Sequence, residues 1–143
     1  MIPYYLNEAM LALPGVRNIV DLSRQHLEIQ TEEGVAIDLI IGRRRAQEGE
    51  TLQKVVEATL ADRKRTLRGF ELGGVTPREY PGVVGIEVTL SFVDQQRGPR
   101  FYHELHCLLE GTQLGFHAIS ALGDAQACDT WMRAMLGGLK LRS

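Results

Sequence analysis

Two periods alternate along the chain. Residues 4–15, YYLNEAMLALPG, read as a strand that Pro14-Gly15 ends. VRNIVDLS (16–23) and QHLEIQ (25–30) read as two more, with Glu32-Glu33-Gly34 as a turn. VAIDLIIGR (35–43) has a β-branched run with little polar relief, the mark of a central, covered strand. Then the spacing lengthens. Leu52, Val55, Val56, Leu60 and Leu67 recur at helical intervals, Thr51 is placed to cap, and Arg63-Lys64-Arg65 suit the negative end of the helix dipole. Gly69 is the expected stop.

Residues 70–75 predict a short strand, with Thr76-Pro77 and Pro81-Gly82 in a loop. VVGIEVTLSFV (83–93) alternates, with Val84, Ile86, Val88, Leu90 and Phe92 on one side and Gly85, Glu87, Thr89 and Ser91 on the other. Residues 101–110 and 114–121 predict a hairpin turning at Gly111-Thr112. A last helix follows over DAQACDTWMRAMLGG, capped by Asp124, with Cys128, Trp131, Met132, Met135, Leu136 and Leu139 in one core stripe. The order predicts a single α+β domain over residues 1–143, a mainly antiparallel sheet with flanking helices.

Composition changes this picture little. The chain has 143 residues, 44% hydrophobic and 24% charged, with a net charge of −2. That is enough for a hydrophobic core and gives no basic footprint for nucleic acid. The run Arg43-Arg44-Arg45 reads as solvated surface. The first ten residues do not have the make-up of a signal peptide, and no apolar run has the length of a membrane span, so a cytoplasmic location is expected. Cys107 and Cys128 lie inside apolar periodic segments and read as buried thiols.

The candidate chemistry depends on register. If the hairpin opposes Leu105 to Ala118, His106 opposes His117; if residue 92 opposes 101 on the preceding strand, Glu87 opposes His106. Both registers keep the apolar residues on one face. Glu87, His106 and His117 would then form a row across three strands, a donor set that metals use. The outer pair would stand about 9.6 Å apart at the backbone, which is long for one ion. The bulk of the reading is therefore a non-enzyme with no cofactor and no metal, with a small metal-dependent enzyme built on that row as the alternative. His103 falls on the apolar side and reads as an interior, hydrogen-bonded histidine. No nucleophile elbow, phosphate loop or dinucleotide fingerprint occurs in the sequence. The outward face carries Glu87, Thr89, Ser91, Tyr102, Glu104, His106, Leu108, His117 and Ile119. This semi-polar mixture predicts a surface for binding another polypeptide.

The chain resembles the DcrB-like family, which has the α/β/α sandwich shared with PsbP and Mog-type proteins. Tyr4, Leu6, Asn7, Glu8, Leu13 and Pro14 match a family opening of Tyr-x-Leu-Asn-Glu, an apolar strand and Leu-Pro. Arg43, Gly49, Thr51, Leu52, Leu67, Gly69 and Phe70 match the apolar strand ending in Arg, the Gly-Glu-x-Leu helix entry and the Leu-x-Gly-aromatic exit. Within the family it is most similar to the effector-associated (Eag) chaperones of type VI secretion. That resemblance implies a cytoplasmic homodimer that binds the apolar, transmembrane N-terminal segments of a secreted effector and aids its loading, with no nucleic acid and no membrane insertion. A regulatory protein-binding module, using the Arg43–Arg45 surface, is the other reading.

Overall fold

The computed structural model describes residues 2–5, 9–23, 25–109 and 111–141. Among the described residues ten strands and two α-helices run in the order β1 (Ile2–Tyr5), β2 (Ala9–Leu13), β3 (Val16–Ser23), β4 (His26–Thr31), β5 (Ala36–Arg45), α1 (Leu52–Thr66), β6 (Glu71–Tyr80), β7 (Val83–Asp94), β8 (Gly98–Leu109), β9 (Thr112–Ala121), α2 (Ala125–Gly137) and β10 (Lys140–Leu141). Seven strands form one antiparallel sheet in the order β3-β4-β5-β9-β8-β7-β6, and β1-β2-β10 form a small second sheet. The predicted α+β class therefore holds.

Several elements differ from the sequence reading. The expected first strand is two strands, β1 and β2, paired antiparallel; residues 6–8 of that stretch lie outside the described residues. The expected loop at Thr76-Pro77 is the middle of β6. Proline is accommodated because β6 is an edge strand, where one side of the backbone has no ladder to feed. Helix α1 starts as predicted, Thr51 Oγ1 accepting from Lys54 N, but it ends at Thr66 through an extended Leu67. Gly69 takes its positive φ of 63° in the turn beyond. Asp124 stands at the start of α2 but makes no side-chain cap bond, and β10 was not foreseen.

The helices lie on opposite faces of the large sheet, where the sequence suggested one apolar side. On one face, α2 and β2 cover the main core: Leu27, Ile37, Leu39, Leu105, Leu114 and Phe116 meet Cys128, Trp131, Met132, Met135 and Leu136. Burying a side chain of this size stabilises by about 1.5–3 kcal/mol. Trp131 Nε1 donates to Pro14 O at 2.9 Å, so its one polar atom is satisfied. On the other face, α1 lays Val56, with Leu52, Leu60 and Leu67 beside it, over Val88, Leu90 and Phe92. That second cluster is smaller, and it leaves one end of the sheet face uncovered.

Candidate functional site: a carboxylate–histidine cluster under helix α1

Two turns set which side chains meet. Between β7 and β8, Asp94 opposes Gly98, leaving a three-residue loop. Asp94 Oδ1 accepts from Gln96 N and Arg97 N at 2.8 and 2.9 Å, and Gly98 has a φ of 76°. These are the features of a hairpin loop that ends on a left-handed glycine. Its odd length pairs Phe92 with Arg100, one residue away from the expected partner. A one-residue slip exchanges faces. Glu87 opposes Leu105 and Val88 opposes Glu104. The predicted row of Glu87, His106 and His117 does not exist: Glu87 lies on the α2 face and the two histidines on the α1 face.

Between β8 and β9 the slip is two residues, so faces are kept. His106 opposes Gly115, and Glu104 opposes His117. The carboxylate that joins the two histidines is therefore Glu104. It is fully buried. His106 Nε2 is 3.1 Å from its Oε1, His117 Nδ1 is 2.7 Å from its Oε2, and Arg63 Nη1 donates to Oε1 at 2.7 Å. Burial pushes the Glu104 carboxyl up, but bonds from His106, His117 and Arg63 win and hold it well below the usual carboxylate range. An ionised carboxylate only accepts, so the imidazole nitrogens facing it are the N–H nitrogens. The two rings stand edge to face, centroids 5.4 Å apart. A Cβ on Gly115 would stand 2.7 Å from His117 Nε2 and 3.4 Å from His106 Nδ1, so only glycine leaves the rings their place. A recess of about 200 Å³ opens beside them, lined by Gly42, Arg43, Arg44, Thr59, Arg63 and Gln113 with the two histidines. A larger hollow of about 550 Å³ lies between Pro14, Thr31, Asp124 and Trp131, away from this cluster.

The opposite face carries its own cluster. Glu87 accepts from Tyr80 Oη and, at 3.1 Å, from Arg78 Nε. His103 is fully buried, with Nε2 3.2 Å from Glu87 Oε1 and Nδ1 2.6 Å from Asp129 Oδ1 on α2; these contacts have ion-pair distance without good hydrogen-bond alignment. Burial raises the Glu87 carboxyl, and Tyr80, His103 and Arg78 together bring it below its usual value. The interior position predicted for His103 is found, but its ring is held by ion-pair contacts and not by the hydrogen bonds expected.

The nine residues predicted to share an outward face are thus divided. Tyr102, Glu104, His106, Leu108, His117 and Ile119 are on the α1 face, and Glu87, Thr89 and Ser91 on the α2 face. Most of the first group is covered: Glu104 is fully buried, and His106 and Ile119 are 6% and 7% exposed. Leu108 is the clearly exposed member. Arg63 and Asp129 were missed, although the pattern held a sign of each. Arg63 lies on the stripe of Val56, Leu60 and Leu67, and Asp129 on that of Met132 and Leu136. A charge on a buried stripe calls for an opposite charge beneath it.

No protein-family model matches the chain, and no curated protein matches its sequence. Solved structures do. PA94 from Pseudomonas aeruginosa, a protein of unknown function, superposes with a TM-score of 0.68 at 18% identity, covering 95% of this chain and 94% of that one. LpqN of Mycobacterium tuberculosis, involved in cell envelope biogenesis, gives 0.71 at 11% identity over 99% and 90%. CyanoP, the PsbP of Synechocystis sp. PCC 6803, gives 0.66 at 13% identity over 99% and 92%. The chain has a PsbP-like fold. Among the described residues no helix is long and apolar enough to cross a membrane.

Proposed function

We propose that this protein binds an apolar segment of another polypeptide, as a cytoplasmic chaperone or adaptor would. The client class follows the sequence resemblance: a transmembrane segment of a type VI secretion effector, held by a homodimer until loading. The single observation that supports the reading is the uncovered end of the α1 face. Val84 is 69% exposed, Val75 46% and Leu108 42%. Register places Val84 and Leu108 side by side, each two residues beyond the opposed pair Ile86 and His106, while Val75, opposite Val88, lies four residues away along the same face. Three neighbouring strands thus present apolar side chains that α1 does not reach. Patches of this kind mark interaction surfaces. The surface replaces the nine-residue face that the alternation suggested, and Leu108 is common to both.

An N-terminal apolar effector fragment from the same genome, co-expressed with this chain, is expected to stay soluble and co-purify. Val84→Glu with Leu108→Glu should abolish co-purification while leaving stability within about 0.5 kcal/mol, as exposed substitutions do. Retention of the client by the double variant, or failure of every such fragment to co-purify, would overturn the reading.

A further inference from the structure

Glu104, His106 and His117 each offer one donor atom, and the three atoms lie within 4.8 Å of one another. We propose that they form a binding site for a late first-row divalent metal ion of the zinc class, with its remaining coordination positions turned toward the recess at Gly42, Thr59 and Gln113. Two imidazoles and one carboxylate suit zinc, copper or nickel and are a poor set for magnesium or calcium, which take oxygen ligands.

The geometry is that of such a set with protons where the ion would be. Zinc bonds of about 2.0–2.2 Å place neighbouring ligand atoms of a tetrahedral site about 3.3–3.6 Å apart. His106 Nε2 stands 3.1 Å from Oε1 and His117 Nδ1 2.7 Å from Oε2, and one donor atom from each residue lies within 4.8 Å of the others, so a tetrahedral set forms with shifts of about an ångström, some pairs parting and others closing. The missing Cβ of Gly115 provides the space for the rings to turn. Metal binding displaces the proton from the ring nitrogen that faces Glu104. Glu104 Oε1 is already occupied by Arg63 at 2.7 Å, which leaves Oε2 as the metal-facing oxygen. Outer hydrogen bonds of that kind fix a ligand's orientation. The Arg63 charge balances Glu104, so the bound ion keeps its own charge, and an anion entering through the recess is the natural further ligand.

The test uses the full chain without an added polyhistidine tag, stripped with chelator and titrated with zinc. One ion per chain is expected, with a rise in melting temperature. The imidazole nitrogen resonances of His106 and His117 should move, while those of His26 and His103 stay. His117→Gln should weaken uptake by roughly tenfold or more; His26→Gln, which alters the surface pair with Asp38, should not. Absence of uptake by the wild-type chain would overturn the proposal. So would zinc shifts at His26 or His103 in place of His106 and His117, or an unchanged affinity in a folded His117→Gln. The resonances of the wild-type protein decide the matter even if the variant does not fold.

Discussion

The two faces of the sheet each bury a glutamate, and they treat it differently. Glu87, on the α2 face, meets Arg78 and Tyr80 from the edge strand and a histidine that is sealed between it and Asp129. Glu104, on the α1 face, meets one arginine and two histidines whose rings border an open recess. The first set ties β6, β7, β8 and α2 together and has no room for a ligand among its groups. The second has a glycine where a side chain would stand, and an opening. Similar residue types thus make a brace on one face and a receptive site on the other. The difference lies in what surrounds them: α2 seals His103 and the main core on its face, and α1 leaves a recess beside His106 and His117.

Removing the brace should cost most. His103→Ala would empty a fully buried position and take one partner each from Glu87, which keeps Tyr80 and Arg78, and from Asp129, which keeps Arg133, and a buried ring lost to alanine costs about 3–5 kcal/mol. Urea denaturation gives the number. Arg63→Met on the other face should cost less, about 2 kcal/mol, because Glu104 keeps two histidine donors and water can enter from the recess. If Arg63→Met proved the costlier change, the contrast between brace and open site would be reversed.

Glycine substitutions sharpen the same contrast. A Cβ on Gly85, on the α2 face, would meet the His106 carbonyl oxygen at 2.4 Å and Leu105 Cδ1 at 3.0 Å. Backbone cannot yield without opening the β7–β8 ladder, so Gly85→Ala should cost about 3 kcal/mol. Gly115→Ala meets the far end of a side chain, the His117 ring, which can turn away. Its cost should be about 1 kcal/mol. It should also remove zinc binding, which Gly85→Ala in a still-folded protein should not.

How much of this was legible follows from the turns. The helices, most strands and the stripe on α2 could be read from periodicity, because burial of one face imposes it. The pairing of glutamates with histidines could not, because Glu87 meets His103 through the parity of the β7–β8 loop and Glu104 meets His117 through the register of β8 with β9. Asp94 and Gly98 bracket three residues, and a reading that gave weight to a turn aspartate followed four positions later by glycine would have placed Glu87 on its true face. The divided client surface has the same origin. Alternation along β8 shows two faces, but it does not say that a second helix covers the semi-polar one. That depends on where α1 crosses, and α1 has a single fully buried residue, Val56, to announce it.

The two carboxylates should also separate on acidification. Both are depressed in the folded protein, so each contributes stability that is complete above the unfolded glutamate pKa of about 4.3 and is lost as pH falls through the lower folded value. Glu104 is held well below the usual range and Glu87 less so. Its contribution should therefore persist to lower pH. Urea midpoints measured from about pH 6 downward should show Glu87→Gln removing the earlier part of the loss and Glu104→Gln the later part. Superimposable profiles for the two variants would make the faces electrostatically equivalent.

The smallest expected effect is a rate near zero. Cys107 on the sheet and Cys128 on α2 both lie in the core under the closed face, and burial pushes each thiol up to about 12. Thiolate is the reacting species, so at neutral pH a disulfide reagent should modify neither residue in the folded state. Whatever slow reaction remains must pass through opening of the α2 face. Zinc at the α1 face then becomes a probe of how the two faces are joined. If opening is global, saturating zinc should slow both thiols by the factor by which it stabilises the whole protein. If α2 lifts away by itself, zinc should raise the melting temperature and leave the thiol rates as they were. A zinc-dependent slowing of Cys128 alone would instead mean that the ion sits near α2, against the assignment of the receptive site to Glu104, His106 and His117.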